Sequence, residues 1–400
     1  MHTQKFLLGA AGGLIAGYAA VRTFEATRVF RGRVTARPAD AAAYGATRRA
    51  LALAGITRSL AGSAALAYGP LGVLMEHSVE HLPQWLRAPI FAIEGFVLDT
   101  LVDAPADLVE GFGLERAYGL SEQSLGSWIN DKVKQEAIGA AVTAVLTALF
   151  AQAIRRWPRT WPYIASAAVF PLLLLANIVV PIYIMPLFNE YRPIEGDLER
   201  RLRALATRYG VGEAEILRMD MSKQTKKANA FVTGIGNTHR IVVGDTLISN
   251  FPPEEIEFVV AHELGHYVSR DSWRLIILGQ IAATFMLFAA YAALGERARK
   301  HPESPRTLAQ IQWWSVLFSQ AIRPAISAFS RSREWAADRF AREATHAPIT
   351  GASAFRRLRD QNLAEDEQPG WYEFIFSSHP SLKARIAALQ RAAEPVASLG

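Results

Sequence analysis

The sequence predicts a mainly α protein: a polytopic helical membrane bundle of about seven spans, joined to a small α+β subdomain outside the bilayer. Three observations predict it. Half of the 400 residues are hydrophobic and only 20% are charged, and mean hydropathy is above zero, the balance of a chain divided between lipid and water. Apolar runs recur at close to the ~20 residues needed to cross a ~30 Å hydrocarbon layer. One long polar stretch, residues 189–271, interrupts them.

The runs lie near residues 6–21, 51–75, 88–111, 136–154, 163–187, 273–294 and 313–330. This divides the chain into a five-span region (1–188), an aqueous subdomain (189–271), a transmembrane hairpin (272–330) and a helical C-terminal part (331–400). The first run also fits a cleaved signal peptide, because Lys5 precedes it and Ala19 and Ala20 end it. If it is retained, the positive-inside rule places Arg22, Arg28, Arg31, Arg33, Arg37, Arg48 and Arg49 in the cytoplasm. The N-terminus is then outside and the C-terminus inside, although Arg155, Arg156 and Arg159 run against this scheme. Trp157, Trp161, Trp273, Trp313 and Trp314 stand at the ends of runs, where interfacial indoles belong, with ordinary core packing as the alternative for each. The third run carries Glu94, Asp99, Asp103, Asp107 and Glu110. Carboxylates are costly in lipid, so this helix either walls a hydrated cavity or lies partly outside the bilayer.

Within 189–271, Leu198, Leu202 and Leu205 follow Glu195, Asp197 and Glu199 at helical spacing. The segments beginning at Asn229 and Arg240 read as two short strands around a turn at 235–239. Pro252, Pro253, Glu254 and Glu255 suit a first helical turn, with Asn250 as its cap. That helix carries His262-Glu263-Leu264-Gly265-His266. At i, i+4 the two imidazoles share one face, as two ligands of a tetrahedral zinc must, and Glu263 reaches a metal-bound water rather than the metal.

Absence of cysteine excludes disulfides, thiolate metal sites and cysteine nucleophiles, leaving His, Asp and Glu as ligands. The net charge of +6 is read as fixing membrane orientation, and no nucleic-acid partner is expected. Lys223, Lys226 and Lys227 read as solvated loop charges, with a lipid-headgroup or nucleic-acid patch as the alternative. A third metal ligand is still required. Glu334 supplies it on a predicted helix, with Asp338 on the same face to accept the other N–H of a ligating imidazole; otherwise the two acids balance Arg331, Arg333 and Arg339 on a solvated helix. His266 precedes the sixth run and Glu334 follows the seventh, so two crossings return both to one membrane face.

Further segments accompany the histidine motif: residues 112–123 with Asp131 and Lys134, residues 186–195, Asn229-Ala230-Phe231 with Asp245-Thr246-Leu247, Glu334 through Asp338, and Ser378-His379-Pro380 with Arg385-Ile386. In these, over most of residues 110–390, the chain resembles the type I CAAX prenyl protease family, membrane-embedded zinc peptidases related to the heat-shock protease HtpX. The resemblance implies a gluzincin-like subdomain, a hydrated chamber between the spans, and one zinc ion on His262, His266 and Glu334, with Glu263 as base. It further implies that His379 supports the transition state, aided by Arg385, and that the Asn229–Ala230–Phe231 segment takes up a protein or peptide substrate as an added strand. The Ala- and Arg-rich composition points to a bacterial inner membrane, where membrane protein quality control is the expected role, and the positive-inside scheme turns the site to the cytoplasm. The competing reading is a membrane binding or transport protein with a structural zinc.

Overall fold

In the computed structural model, which describes residues 38–234 and 239–394, helix α1 (Ala41–Tyr68) stops where Gly69 meets Pro70. The run expected at 6–21 lies outside the described residues. The span expected at 51–75 is corrected: Pro70 opens a second helix, α2 (Pro70–Val79), because proline suits a first turn and cannot continue the helix before it. Helix α3 (Gln84–Asp107) runs on into a π-helical stretch over Leu108–Leu114. Its acids face other helices. Asp103 pairs with Arg58 of α1. Asp107 meets Lys132 at 2.7 Å, and Lys132 meets Glu136 at 2.8 Å, both on α4 (Leu125–Arg156). Such pairing inside the bundle is what makes carboxylates tolerable there.

After α5 (Trp161–Val179) the chain builds the aqueous subdomain. It contains β1 (Tyr191–Pro193), α6 (Asp197–Arg208), β2 (Glu215–Met219), β3 (Ala230–Thr233) and β4 (Arg240–Gly244). The strand order is β1-β2-β4-β3, with β2 and β4 parallel and β3 antiparallel to β4, so β3 forms a sheet edge. The two expected strands are present; β1 and β2 add to them. Helices α7 (Asp245–Asn250) and α8 (Pro253–Val268) follow. Asn250 is not the cap of α8: its side chain donates to Thr246 O within α7, and Pro252 holds the cap position.

Helix α9 (Asp271–Ala293) then leads to α10 (Pro305–Thr345), a 41-residue helix containing Pro324. The boundary expected at residue 330 is therefore not a structural one, since α10 continues from the hairpin into the aqueous layer without a break. Helices α5 and α9 are clamped by polar groups: Gln280 Nε2 donates to Ser166 O at 2.9 Å and Ser166 Oγ lies 2.6 Å from Thr284 Oγ1, a common device where lipid supplies no hydrophobic drive between helices. Helices α11 (Pro348–Asn362), α12 (Gly370–Phe376) and α13 (Leu382–Arg391) complete the order. One core unites the subdomain: Leu202, Leu205, Phe258, Val260, Leu264 and Phe355 are buried together.

Among the described residues, four helices are long and apolar enough to cross a membrane: Ala41–Tyr68, Leu125–Arg156, Trp161–Leu187 and Asp271–Ala293. Those holding the runs at 88–111 and 313–330 fall outside that set. Trp161 takes the core-packing alternative: it is fully buried between Phe150 and Tyr291, with ring centroids 5.3 and 5.6 Å away. The indole nitrogens of Trp313 and Trp314 are also buried.

Candidate metal centre

Helix α8 buries Val259, Val260 and Leu264 in the subdomain core, which turns the His262 and His266 face towards α10. The two helices touch at Gly265. A Cβ there would lie 3.1 Å from Ala337 Cα and 3.2 Å from Phe340 Cβ, so any side chain would push α10 away by a few tenths of an ångström that glycine spares. That approach brings Glu334 over the histidines. His262 Nε2 stands 3.4 Å from Glu334 Oε2, and His266 Nε2 stands 3.4 Å from Glu334 Oε1.

These residues fit a metal by two measures. Ligand atoms bonded to zinc at ~2.0–2.1 Å in a tetrahedron are ~3.4 Å apart, the spacing found between Glu334 and each imidazole. Glu334 Oε2 is also buried without a well-formed hydrogen bond, with His262 Nε2 and Arg385 Nη1 each 3.4 Å away, so it has room to accept a closer cation. Ligand atoms of His262, His266 and Glu334 all fall within 4.8 Å of one another.

Each imidazole has its other nitrogen occupied. His262 Nδ1 lies 2.9 Å from Asp338 Oδ1, and His266 Nδ1 lies 3.0 Å from Asp271 Oδ2. Carboxylates in this position fix the ring and its tautomer and aim Nε2 at the metal. Asp338 stands where sequence spacing expects it. Asp271 was not expected: it follows His266 by five residues, across Arg270, whose φ of 54° breaks α8 and starts α9. This left-handed residue, costly outside glycine, folds the Asp271 carboxylate back onto His266, and Arg333 Nε holds its other oxygen at 2.7 Å.

Desolvation alone would lower the buried His262, but Asp338 and Glu334 outweigh it and push His262 up to about 9. Both carboxylates are held below their usual range, because hydrogen bonds from His262 and from His266 or Arg385 overcome desolvation. Without metal the site therefore keeps an imidazolium at neutral pH, and metal binding must displace its proton. Apparent metal affinity is expected to rise at least about tenfold per pH unit below 9, because His266 is raised as well as His262, and then to level off. Competition titrations of metal-depleted protein against a chromogenic chelator measure this slope. A flat profile contradicts a protonated metal-free site.

Glu263 is partly open, and desolvation raises its carboxyl against the pull of both imidazoles. His379 Nε2 reaches within 3.3 Å of Glu334 Oε1, while Ser378 Oγ lies 2.8 Å from its Nδ1. Arg385 is 6% exposed, grips Asp338 through Nε (2.8 Å) and Nη2 (2.6 Å), places Nη1 3.4 Å from Glu334 Oε2, and lies 4.2 Å over the Phe355 ring. Asn229 opens onto a cavity of about 610 Å³ that His379, Tyr44 and Lys227 also line. Ala230 is buried and Phe231 half-buried on the edge strand.

A helical membrane bundle whose paired histidines on one helix meet a glutamate from a second has the architecture of a membrane-embedded metallopeptidase. The chain belongs to Peptidase family M48, which residues 194–393 match, and residues 23–190 match the CAAX prenyl protease N-terminal region of five membrane helices. It is 28% identical to the Bacillus subtilis metalloprotease YhfN over 76% of each chain. It is 27% identical to the Saccharomyces cerevisiae CAAX prenyl protease 1 over 74% of this chain and 70% of that one. The crystal structure of S. mikatae Ste24p superposes with a TM-score of 0.80, covering 96% of this chain and 98% of that chain at 22% identity, which speaks for the fold. The protein is thus a membrane metalloendopeptidase acting on peptide or protein substrates.

Proposed function

We propose that this enzyme is a zinc-dependent endopeptidase cutting peptide bonds at the membrane face, with one ion held by His262, His266 and Glu334. The observation that carries the reading is the 3.4 Å spacing of Glu334 from both Nε2 atoms, with each Nδ1 fixed by its own carboxylate. When bound, zinc supplies Lewis acidity, which makes water a nucleophile near neutral pH and polarises the scissile carbonyl. Glu263 takes the proton of the attacking water and delivers it to the leaving amine. His379 Nε2 donates to the carbonyl oxygen as negative charge grows there. Arg385 acts at one remove, holding Asp338 and through it the His262 ring. The free edge of β3, from Asn229 through Phe231, pairs with an extended substrate segment.

The Ala- and Arg-rich composition supports a bacterial inner-membrane setting. Arg48 and Arg49, at the end of α1 nearest the site, support a cytoplasmic active site. Clearance of damaged membrane proteins is the role that suits such a site.

Purified protein in lipid nanodiscs is expected to cleave an unstructured peptide, to lose at least ~100-fold in rate on chelation, and to recover with one equivalent of zinc. Bound zinc without hydrolysis of any unfolded or membrane substrate would instead indicate a binding or transport protein with a structural metal. Against that alternative, structural zinc sites close with four protein ligands, and three converge here among the described residues.

A further inference from the structure

The reading of Lys223, Lys226 and Lys227 as solvated charges fails at Lys227. Its Nζ lies 2.8 Å from Glu115 Oε2 and donates to Tyr44 OH at 2.7 Å, while Tyr44 OH donates to Glu115 Oε1 at 2.5 Å. The three polar groups close a triangle. Lys227 and Glu115 are largely buried, and Tyr44 is 2% exposed within a cluster that includes Leu51, Leu114, Leu120 and Leu363. Tyr44 comes from α1, Glu115 from the end of the π-helical stretch after α3, and Lys227 from the aqueous subdomain. The ammonium, 24% exposed at the cavity wall, is drawn far enough from water to need partners such as these, and burial lowers Lys227 from its ordinary value despite Glu115.

Lys227 stands two residues before the substrate-facing edge, and the chain around it is pinned on all sides. Lys226 N donates to Leu120 O at 2.7 Å, and Ser121 Oγ donates to Gln224 O at 2.6 Å. Thr246 Oγ1 donates to Lys227 O at 2.8 Å. Asn362 accepts from Ala228 N at 2.7 Å and donates to Ala228 O at 3.1 Å. The segment 112–123, notable in the sequence yet without a part in the chemistry, is therefore what the strand hangs from.

We propose that Tyr44, Glu115 and Lys227 form a positioning cluster that locks the start of β3 to the membrane bundle, and thereby sets the affinity for a substrate segment paired along its edge. The proposal rests on the reading of β3 as the substrate-receiving edge. If the strand is located by this cluster, loosening it weakens binding while leaving the metal and the base in place.

The test uses the zinc-loaded full-length protein in nanodiscs, an unstructured peptide substrate, and the same peptide with alternate backbone nitrogens methylated. Lys227→Met is expected to raise KM about tenfold, with kcat within threefold and zinc content unchanged. Lys227→Arg, which keeps the charge, should return KM to within threefold of the parent. Glu115→Gln should repeat the effect, and it decides the matter if the Met variant does not accumulate. A parental KM in Lys227→Met and Glu115→Gln overturns the positioning role, as does a loss confined to kcat or to zinc content. A parent enzyme that cleaves the methylated peptide with unchanged KM overturns edge pairing itself, and is recognised without any variant.

Discussion

Glu263→Gln is expected to lower peptide cleavage by ~10²–10⁴-fold while the protein keeps its full complement of metal. The proposed ligand atoms are those of His262, His266 and Glu334, so this substitution should subtract nothing from the metal's surroundings. Glutamine has the size and shape of glutamate but cannot accept and return a proton. Glu263 is also suited to that exchange, since desolvation raises its carboxyl above the ordinary value despite the two imidazoles. Cleavage rate and metal content measured on the same preparation separate the outcomes. If the variant keeps more than about a tenth of the parental rate, proton transfer belongs to another group. If it loses its metal, Glu263 is a ligand and the proposed division of roles is wrong.

The parts of this site that were legible in the sequence are those governed by helical period. His262 and His266 share a face because they are four residues apart, and Asp338 follows Glu334 by the same interval. Crossing number alone returns Glu334 to the side of His266. Asp271 obeys no such period. It reaches His266 because Arg270 adopts a left-handed conformation between two helices, and arginine carries no local signal for that geometry. Arg385 reads as a free cation in the sequence, and only packing against Phe355 and Asp338 reveals it as buried. Lys227 has the same history: beside Lys226, which pairs with Glu122 near the surface, it looks like one more solvated lysine. Strands β1 and β2 span three and five residues, too short for an alternating pattern to stand out. The spans were legible as apolar runs, but their ends were not, because pairing such as Asp107 with Lys132 lets polar residues enter the bundle.

The largest effect on stability is expected from Asp338→Ala. Asp338 and Arg385 form a two-bond ion pair whose side chains are each 7% exposed, and breaking such a pair costs ~3–5 kcal/mol where the surviving charge is left buried; Glu334 Oε2, 3.4 Å from Arg385 Nη1, still faces that charge and holds the loss to the lower end. Here the survivor is a guanidinium whose Nη2 stands 3.4 Å from His262 Nδ1. It repels the imidazolium of the metal-free protein and leaves the ring with no carboxylate to orient it. Metal affinity should fall 10–100-fold in consequence. The double variant Asp338→Ala/Arg385→Met separates the two effects. Removing the orphaned charge should restore much of the lost stability, since an apolar replacement for a buried pair is often tolerated, whereas affinity should stay low because His262 still lacks its partner. Unfolding midpoints must be compared with metal removed, as bound zinc would stabilise each variant according to its own affinity. If the double variant recovered affinity together with stability, Asp338 would matter only as the counter-charge of Arg385, and the orientation of His262 would have to come from the α8–α10 contact at Gly265 alone.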